Sequence, residues 1–393
     1  MINIFKHKLT TKLNLAILYF IGLVLACSAA LPAYVQSNFL NKYISLNTLS
    51  IFFIIANAST VLSIVAFPKL IKKIGNFSLT RIIMVAHGLS LVFLALTDNA
   101  ISALISIILF TVSTNLLWIN MDILIEAFSN DSSTGKTRTI YFTFINLGWI
   151  ISPTLSSYLV NLGDYQLTFL VAAFLILPII FLFNYQRRNL KDRVTYSKEK
   201  ISSVIKKTWK KKNLRGIFFV ALLLQIFYNT AVIYIPIYLH QNLGIGWAEL
   251  GLMFSIMLIP FLIFEIPAGI IADKYIGEKE ILFLGFIILV LSSFFFFYIK
   301  TSSFIVWASI LFLSRIGASL IEAMKETYFF KIVSAKDIGY INVFRTANPL
   351  GYIIGSALAM ITTLFLPLNY LFLIISIVIM SGFWFVGSIK DTK

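Results

Sequence analysis

Residues 13–35 read LNLAILYFIGLVLACSAALPAYV, a stretch of 23 residues without a charge. At ~1.5 Å per residue, a helix of this length matches the ~30 Å hydrocarbon core of a bilayer. Further apolar stretches of similar length fill most of the chain. The predicted spans are 13–35, 47–71, 79–97, 100–126, 139–160, 165–186, 214–239, 248–272, 280–299, 303–330, 339–364 and 368–389. The sequence therefore predicts an all-α membrane protein with twelve transmembrane helices.

The charges between the spans predict the orientation of the chain. Its 32 Lys and Arg residues, against 16 Asp and Glu residues, are concentrated in alternate breaks, and the intervening breaks contain only Lys42 and Lys300. Because cytoplasmic loops are rich in Lys and Arg, both termini and the segment 187–213 are expected in the cytoplasm. This distribution accounts for the net charge of +16, so we expect no nucleic-acid partner.

The longest polar interruption, residues 187–213, separates residues 1–186 from residues 214–393. We expect each of these parts to form a bundle of six helices, with the interruption as a basic linker. Within the linker, apolar residues such as Val204 and Trp209 recur at helical spacing among lysines. Two interpretations remain open, namely an amphipathic helix on the cytoplasmic leaflet and a disordered basic linker.

The two parts carry matching motifs about 200 residues apart. The fourth and tenth spans each carry three polar residues at the same spacing. They are Asn115, Asp122 and Glu126 in the fourth, and Arg315, Glu322 and Glu326 in the tenth. The fifth and eleventh spans share a motif that reads LGWIIS at 147–152 and LGYIIG at 350–355. Pro68 near the end of the second span matches Pro267 in the eighth. Two parallel repeats are typical of secondary transporters, whose substrate site lies at the repeat interface.

Two motifs resemble signatures of the major facilitator superfamily. Residues 269–279, GIIADKYIGEK, resemble its loop signature G-x-x-x-D-[RK]-x-G-[RK]-[RK], with one extra residue and Glu278 at a basic position. Residues 148–157, GWIISPTLSS, are similar to its antiporter signature G-x-x-x-G-P-x-x-G-G, with serines at three glycine positions. The resemblance implies two pseudo-symmetric six-helix bundles around a central cavity.

The resemblance also implies a gate at the cytoplasmic ends of the helices. Its candidate residues are Gly269, Asp273, Lys274 and Gly277 in the loop signature, Lys72 and Lys73 in the first-half copy, and Arg138 and Asp337 opposite them. We expect Asp273 beside Arg138 at the start of the fifth span, where the helix dipole favours an anion. Lys72 and Lys73 are expected to face Asp337. Both contacts are predicted only for the state that is closed to the cytoplasm.

Small residues at three- and four-residue spacing predict close helix packing in the fifth and eleventh spans. They are Gly148, Ser152, Pro153, Ser156 and Ser157, with Gly351 and Gly355 in the second copy. Pro153 is expected to bend its helix. Two interpretations remain open, namely ordinary tight packing and a seal against leak in an exporter, which the resemblance to the superfamily implies.

Ionisable residues deep in a bilayer are costly, and they are expected to face a cavity or a partner. Arg315 lies near the predicted midplane, and the ~100° helical rotation per residue puts Glu322 and Glu326 on the same stripe. We predict that Arg315 pairs with Glu265 of the eighth span. Alternatively, Glu322 and Glu326 are interfacial charges at a helix end.

Further polar side chains lie on spans that would line the cavity. They are Asn57, Asn115, Asn146, Gln225 and Asn229, together with Asp122, Glu126 and Arg345. The amides are suited either to binding substrate hydroxyls or to hydrogen bonds between helices. Arg345 is expected to pair with Glu322 or with Asp337.

The sequence lacks a Walker loop, a Cys/His metal cluster and a placed Ser-His-Asp set, so we expect no enzyme, cofactor or metal. We expect a monomeric secondary active transporter in the cell membrane, surrounded by lipid, that exports a small amphipathic molecule in exchange for protons. The alternatives are a symporter for nutrient or metabolite uptake, a lipid or lysolipid flippase, and a non-transporting sensor.

Overall fold

The computed structural model describes residues 2–128, 134–185, 201–333 and 338–390, and within these residues the chain is helical without β-strands. The helices are α1 (Ile2–Ala33), α2 (Gln36–Leu40), α3 (Leu46–Ile74), α4 (Asn76–Ala95), α5 (Ala100–Phe128), α6 (Thr134–Tyr185), α7 (Ile201–Lys210), α8 (Lys212–Asn229), α9 (Ile235–Ile237), α10 (Trp247–Ile271), α11 (Glu278–Tyr298), α12 (Phe304–Ile332), α13 (Ile338–Arg345), α14 (Ala347–Phe365), α15 (Tyr370–Met380) and α16 (Gly382–Ser388). Wider π-helical turns at Thr230–Tyr234, Tyr238–Asn242 and Ala272–Ile276 extend α8, α9 and α10. The expectation of an all-α protein is confirmed.

Eleven helical segments of the described residues are long and apolar enough to cross a membrane. They are Leu13–Ala33, Leu46–Ile74, Asn76–Ala95, Ala100–Ile125, Ile140–Tyr185, Lys212–Asn242, Trp247–Ile276, Glu278–Tyr298, Phe304–Ile332, Gly339–Phe365 and Tyr370–Ser388. The predicted limits lie within a few residues of these.

The segment Ile140–Tyr185 contains 46 residues, about twice the length of an ordinary span. It consists of two helices that meet at a bend, where Gly163 (φ −152°, ψ 31°) and Asp164 (φ 60°, ψ −172°) leave the helical conformation. The predicted break between the fifth and sixth spans falls at this bend. Counting the segment as two spans is what distinguishes the predicted twelve from the observed eleven.

Two loops at equivalent places share an unusual backbone conformation. Gly75 separates α3 from α4 with φ 83°, and Gly277 precedes α11 with φ 86°. Residues with a Cβ rarely adopt a positive φ, so glycine suits both turns. The loop signature around Gly277 and its shortened first-half copy therefore make the same turn.

The small-residue motifs bring helix backbones together in both parts of the chain. A Cβ on Gly148 of α6 would lie 2.8 Å from the Ala26 Cβ of α1. A Cβ on Gly351 of α14 would collide with the Gln225 side chain of α8, and one on Gly355 would lie 2.9 Å from the Asn229 Cγ. The predicted close packing is present, and the two copies of the motif make equivalent contacts.

The serines of the first motif extend this packing toward α10. Ser152 is buried, and its Oγ donates to the Gly148 carbonyl at 2.7 Å. Ser156 and Ser157 are also buried. Ser157 packs against Gly251 of α10, where a Cβ would lie 2.9 Å from the Pro153 carbonyl oxygen. This face of α6 therefore contacts α1 on one side and α10 on the other.

We call residues 13–185 the first half and residues 212–388 the second half. The linker end is where Gly75, Gly277 and α7 lie, and the far end is the opposite one. Buried apolar side chains form one cluster that joins the far-end part of the first half to the second half. A separate cluster, which includes Leu18 and Ile125, fills the linker-end part of the first half. Among the described residues, the apolar core is thus continuous across the halves only toward the far end.

Hydrogen bonds between side chains reinforce the contact at the far end. Asn41 donates to Gln241 (3.0 Å), Gln241 to Asn38 (3.0 Å) and Thr363 to Asn47 (2.5 Å). The hydroxyl groups of Ser50 and Tyr234 share a hydrogen bond of 2.7 Å. Each pair joins one half to the other. The structure is therefore closed at the far end.

The linker forms a helix over Ile201–Lys210, whereas residues 187–200 lie outside the described residues. Val204 is buried, and its side chain packs against Gly339 of α13. The Trp209 ring stacks on Phe219 of α8 at 5.9 Å between centroids. Of the two interpretations, the helix holds for this part of the linker, and its contact with a membrane surface stays a prediction.

Candidate functional site

An ion-pair network occupies α12. The side chain of Lys325 is only 3% exposed, and its Nζ lies 2.8 Å from a carboxylate oxygen of Glu322 and 3.0 Å from one of Glu326. Glu322 is three residues earlier on the same helix face, so one helix supplies the cation and both anions. Sequence reasoning missed Lys325, although its position between the two predicted glutamates is a signal that could have identified it.

Arg345, the last residue of α13, connects this network to the first half. Its guanidinium nitrogens lie 2.6 and 3.0 Å from the two carboxylate oxygens of Glu326, a bidentate geometry suited to arginine. Its Nη2 also lies 3.4 Å from Asp122 Oδ2 on α5. Arg345 thus pairs with Glu326 rather than with the predicted Glu322, whose carboxylate binds Lys325.

Glu265 on α10 has an uncharged partner. The Asn146 amide on α6 donates to its Oε2 at 3.4 Å, a long hydrogen bond that crosses between the halves. The ion pairs among the described residues do not include Glu265, so the predicted pair with Arg315 is not formed. The physical reason is side-chain direction, since the Arg315 guanidinium turns toward α8.

Arg315 is a buried cation among aromatic rings. Its side chain is 2% exposed, and its Nε has no hydrogen-bond partner in the part of the chain that the structure describes. The guanidinium carbon lies 5.3 Å from the ring centroid of Phe227 and 5.4 Å from that of Tyr228, both on α8. The Tyr34 hydroxyl group of the first half also interacts with the guanidinium, through a hydrogen bond and through its charge. The Tyr228 hydroxyl donates to Glu322 Oε2 at 3.3 Å, so Tyr228 lies between Arg315 and the network on α12.

Three of the predicted amides donate hydrogen bonds within or between packed helices, although the buried Oδ1 of Asn229 has no partner among the described residues. Asn57 donates to the Phe53 carbonyl at 2.8 Å, and Asn115 donates to the Thr111 carbonyl at 2.9 Å, each on its own helix. Asn229 donates to Ser356 at 3.0 Å. Their contacts support the packing interpretation, while Asn146 alone among the predicted amides hydrogen-bonds a carboxylate across the halves.

The family comparison covers both halves of the chain. A model of the Major Facilitator Superfamily matches residues 15–257 and also residues 217–392. The chain belongs to the Major Facilitator Superfamily. The resemblance drawn from the loop signature is thereby confirmed. A search of curated proteins finds none that matches.

Membership in the Major Facilitator Superfamily indicates a multi-pass membrane transporter. The network joins α5, α12 and α13, and the Glu265 contact joins α6 and α10. Both sites therefore lie between the halves. Within the described residues, no group of three or more His, Cys, Asp or Glu side chains could hold a metal ion.

The loop signature of the superfamily lies at the linker end of α10. Asp273 Oδ1 accepts a hydrogen bond from Lys331 Nζ at 2.7 Å, and Lys331 also pairs with the buried Glu278. This contact stays within the second half. Lys274 is exposed, and a Cβ on Gly269 would have no atom within 4 Å.

The predicted gate contacts concern a state that is closed at the linker end, and they stay predictions. Lys72 and Lys73 are exposed in the last turn of α3. The side chains of Arg138 and Glu126 lie outside the described part of the structure, as does Asp337 altogether.

Proposed function

We propose that this protein is a secondary active transporter that exports a small amphipathic molecule in exchange for protons. The two halves would rock about a central site, so that the site opens to each end in turn. Apolar packing between the halves toward the far end supports this proposal, because such an interface can separate when the opposite end closes. Residues 148–157, which are similar to the antiporter signature, support export as the direction of transport.

The observation that carries proton coupling is the environment of Glu265. This half-buried carboxyl group contacts the neutral amide of Asn146 in the other half and takes no part in the ion pairs of the described residues. It can therefore gain or lose a proton without breaking an ion pair. Since Asn146 belongs to the first half, separation of the halves would change the environment of the carboxyl group in step with the transport cycle.

Transport driven by a pH gradient in proteoliposomes tests the proposed function. Purified protein is reconstituted, a pH difference is imposed, and flux is followed across a panel of amphipathic compounds. We expect flux that follows the sign of the gradient and that vanishes with a protonophore. Flux that is indifferent to the gradient would favour a facilitator or a flippase over a proton-coupled exporter.

The proposed topology places twelve spans in the cell membrane, with Ile140–Tyr185 counted as two. The termini and α7 are proposed to lie in the cytoplasm, and the transporter to act as a monomer. The alternating Lys and Arg content of the loops supports this orientation. In a Cys27→Ser background, which removes the single cysteine, an Ile205→Cys protein should react with a thiol reagent only from the cytoplasmic side. Reaction from outside alone would contradict the topology.

A further inference from the structure

The buried guanidinium of Arg315 has a charge that no side chain of the described residues neutralises. Arginine keeps its charge in proteins, yet this side chain is 2% exposed and its Nε has no hydrogen-bond partner within the described ranges. A buried charge normally requires a counter-ion and hydrogen bonds. The missing counter-ion is therefore the feature to explain.

The nearby carboxylates are engaged elsewhere. Glu322 pairs with Lys325 at 2.8 Å, and Glu326 binds Arg345 through both oxygens. Glu265 contacts Asn146. None of them forms an ion pair with Arg315 among the described residues, so an anion from outside the chain would complete the site.

Aromatic rings surround the guanidinium. Phe227 and Tyr228 present their faces to it at 5.3 and 5.4 Å, which provides cation–π attraction but no hydrogen-bond acceptors of carboxylate strength. Tyr34 lies on the side of the first half and stacks on Phe254 at 5.0 Å. These aromatic rings favour a ligand with a flat apolar part next to the charged group.

We propose that Arg315 binds the acidic group of the transported molecule, which is therefore an organic anion with an aromatic or other apolar body. This inference rests on the proposed function and narrows its substrate class. The acidic group accepts two hydrogen bonds from the guanidinium, and the apolar body lies against Tyr34, Phe227 and Tyr228. Because Tyr34 belongs to the first half, movement between the halves would open this site to the ligand.

Naphthoate and naphthamide form a matched pair of probes, since they share a ring system and differ in the charge of one group. Binding of each to the purified full chain in detergent is measured by isothermal titration calorimetry at constant pH. We expect naphthoate to bind at least about tenfold more tightly than naphthamide, as for a charge-assisted bidentate contact. Equal affinities, or no binding of naphthoate, would overturn the proposal.

Variants assign the preference to Arg315. Arg315→Gln should abolish the preference for naphthoate, and Arg315→Lys, which keeps the charge but loses the planar fork, should retain only part of it. Lys300→Gln, at an exposed position, should leave the preference unchanged. A full preference in a folded Arg315→Gln protein would overturn the proposal. If that variant does not fold, the Arg315→Lys protein decides, because an unchanged ratio there contradicts a bidentate site.

The failure of this proposal and that of the proposed function are distinguishable. Selective binding of naphthoate without pH-driven flux would contradict proton-coupled export and still support the anion site. Proton-driven flux of neutral compounds, with no preference for naphthoate, would leave the transporter and remove the anion site.

Discussion

The matching helices α5 and α12 occupy equivalent places in the two halves but carry different chemistry. Asn115 on α5 donates its amide to a carbonyl of its own helix, whereas Arg315 at the matching position of α12 is a buried cation that forms no ion pair with the described residues. Asp122 reaches across to Arg345 at 3.4 Å, whereas Glu322 is held within α12 by Lys325. The second half therefore holds most of the charged side chains of the site, and the first half forms the surface that faces them.

The matched prolines show the same difference at the Glu265 site. Two residues before Pro68 the first half has Ala66, whereas two residues before Pro267 the second half has Glu265. If this asymmetry has a function, changes to the second half should affect coupling far more than changes to the first. Four experiments probe the differences and the similarities of the two halves, in order of decreasing expected effect.

The largest effect is expected for Glu265→Gln. The amide keeps the shape and the contact with Asn146 but cannot exchange a proton, so pH-driven transport should fall to background while counterflow exchange continues. Both fluxes are measured in proteoliposomes, with Glu249→Gln, at an exposed position on the same helix, as the control. Full pH-driven flux in the Glu265→Gln protein would show that the second-half carboxyl does not carry the coupling.

Two buried cations of α12 should respond oppositely to replacement by methionine. Lys325→Met leaves Glu322 and Glu326 without their shared cation and should lower the free energy of unfolding by about 3–5 kcal/mol. Arg315→Met removes a charge that has no anionic partner among the described residues, so stability should be unchanged or higher by up to about 4 kcal/mol. Apparent unfolding temperatures in detergent provide the comparison, and a similar loss in both variants would mean that Arg315 has a counter-ion after all.

Arg315 and Arg345 show how much of the site the sequence predicts. Hydropathy located the spans because bilayer thickness dictates helix length, and helical rotation placed Arg315, Glu322 and Glu326 on one stripe. Rotation within one helix does not determine which neighbouring helix a long side chain meets. The predicted pair of Arg315 with Glu265 failed for this reason. Arg345 on α13 binds Glu326 on α12, and no pattern in the sequence indicates which of the two glutamates it meets.

The packing glycines should behave alike in the two halves. Gly148→Ala and Gly351→Ala each place a methyl group against a neighbouring helix, and each should cost about 1–3 kcal/mol. Gly269→Ala is the matched control, because its Cβ would meet open space and alanine favours helix by up to about 1 kcal/mol. Apparent unfolding temperatures of the three variants show whether the first two are destabilised relative to Gly269→Ala. A large loss in only one half would break the equivalence of the two copies.

The smallest change in stability is expected for Asp122→Asn, which weakens the ionic contact between the halves at 3.4 Å. Arg345 keeps its bidentate contact with Glu326, so the cost should be about 0.2–1 kcal/mol. The equilibrium between conformations should still shift, because this is the ion pair that joins the halves in the described residues.

Spin labels at Lys73→Cys and Lys274→Cys, both exposed at the linker end, report the separation of the halves in a Cys27→Ser background. Asp122→Asn should move the distance distribution toward longer values. The control is Asp164→Asn, which removes an exposed pair with Lys42 within the first half and should leave the distribution unchanged. An unchanged distribution in the Asp122→Asn protein would mean that α5 offers only a passive surface to Arg345. In that case the ionic chemistry of the second half would work without an acidic partner from the first.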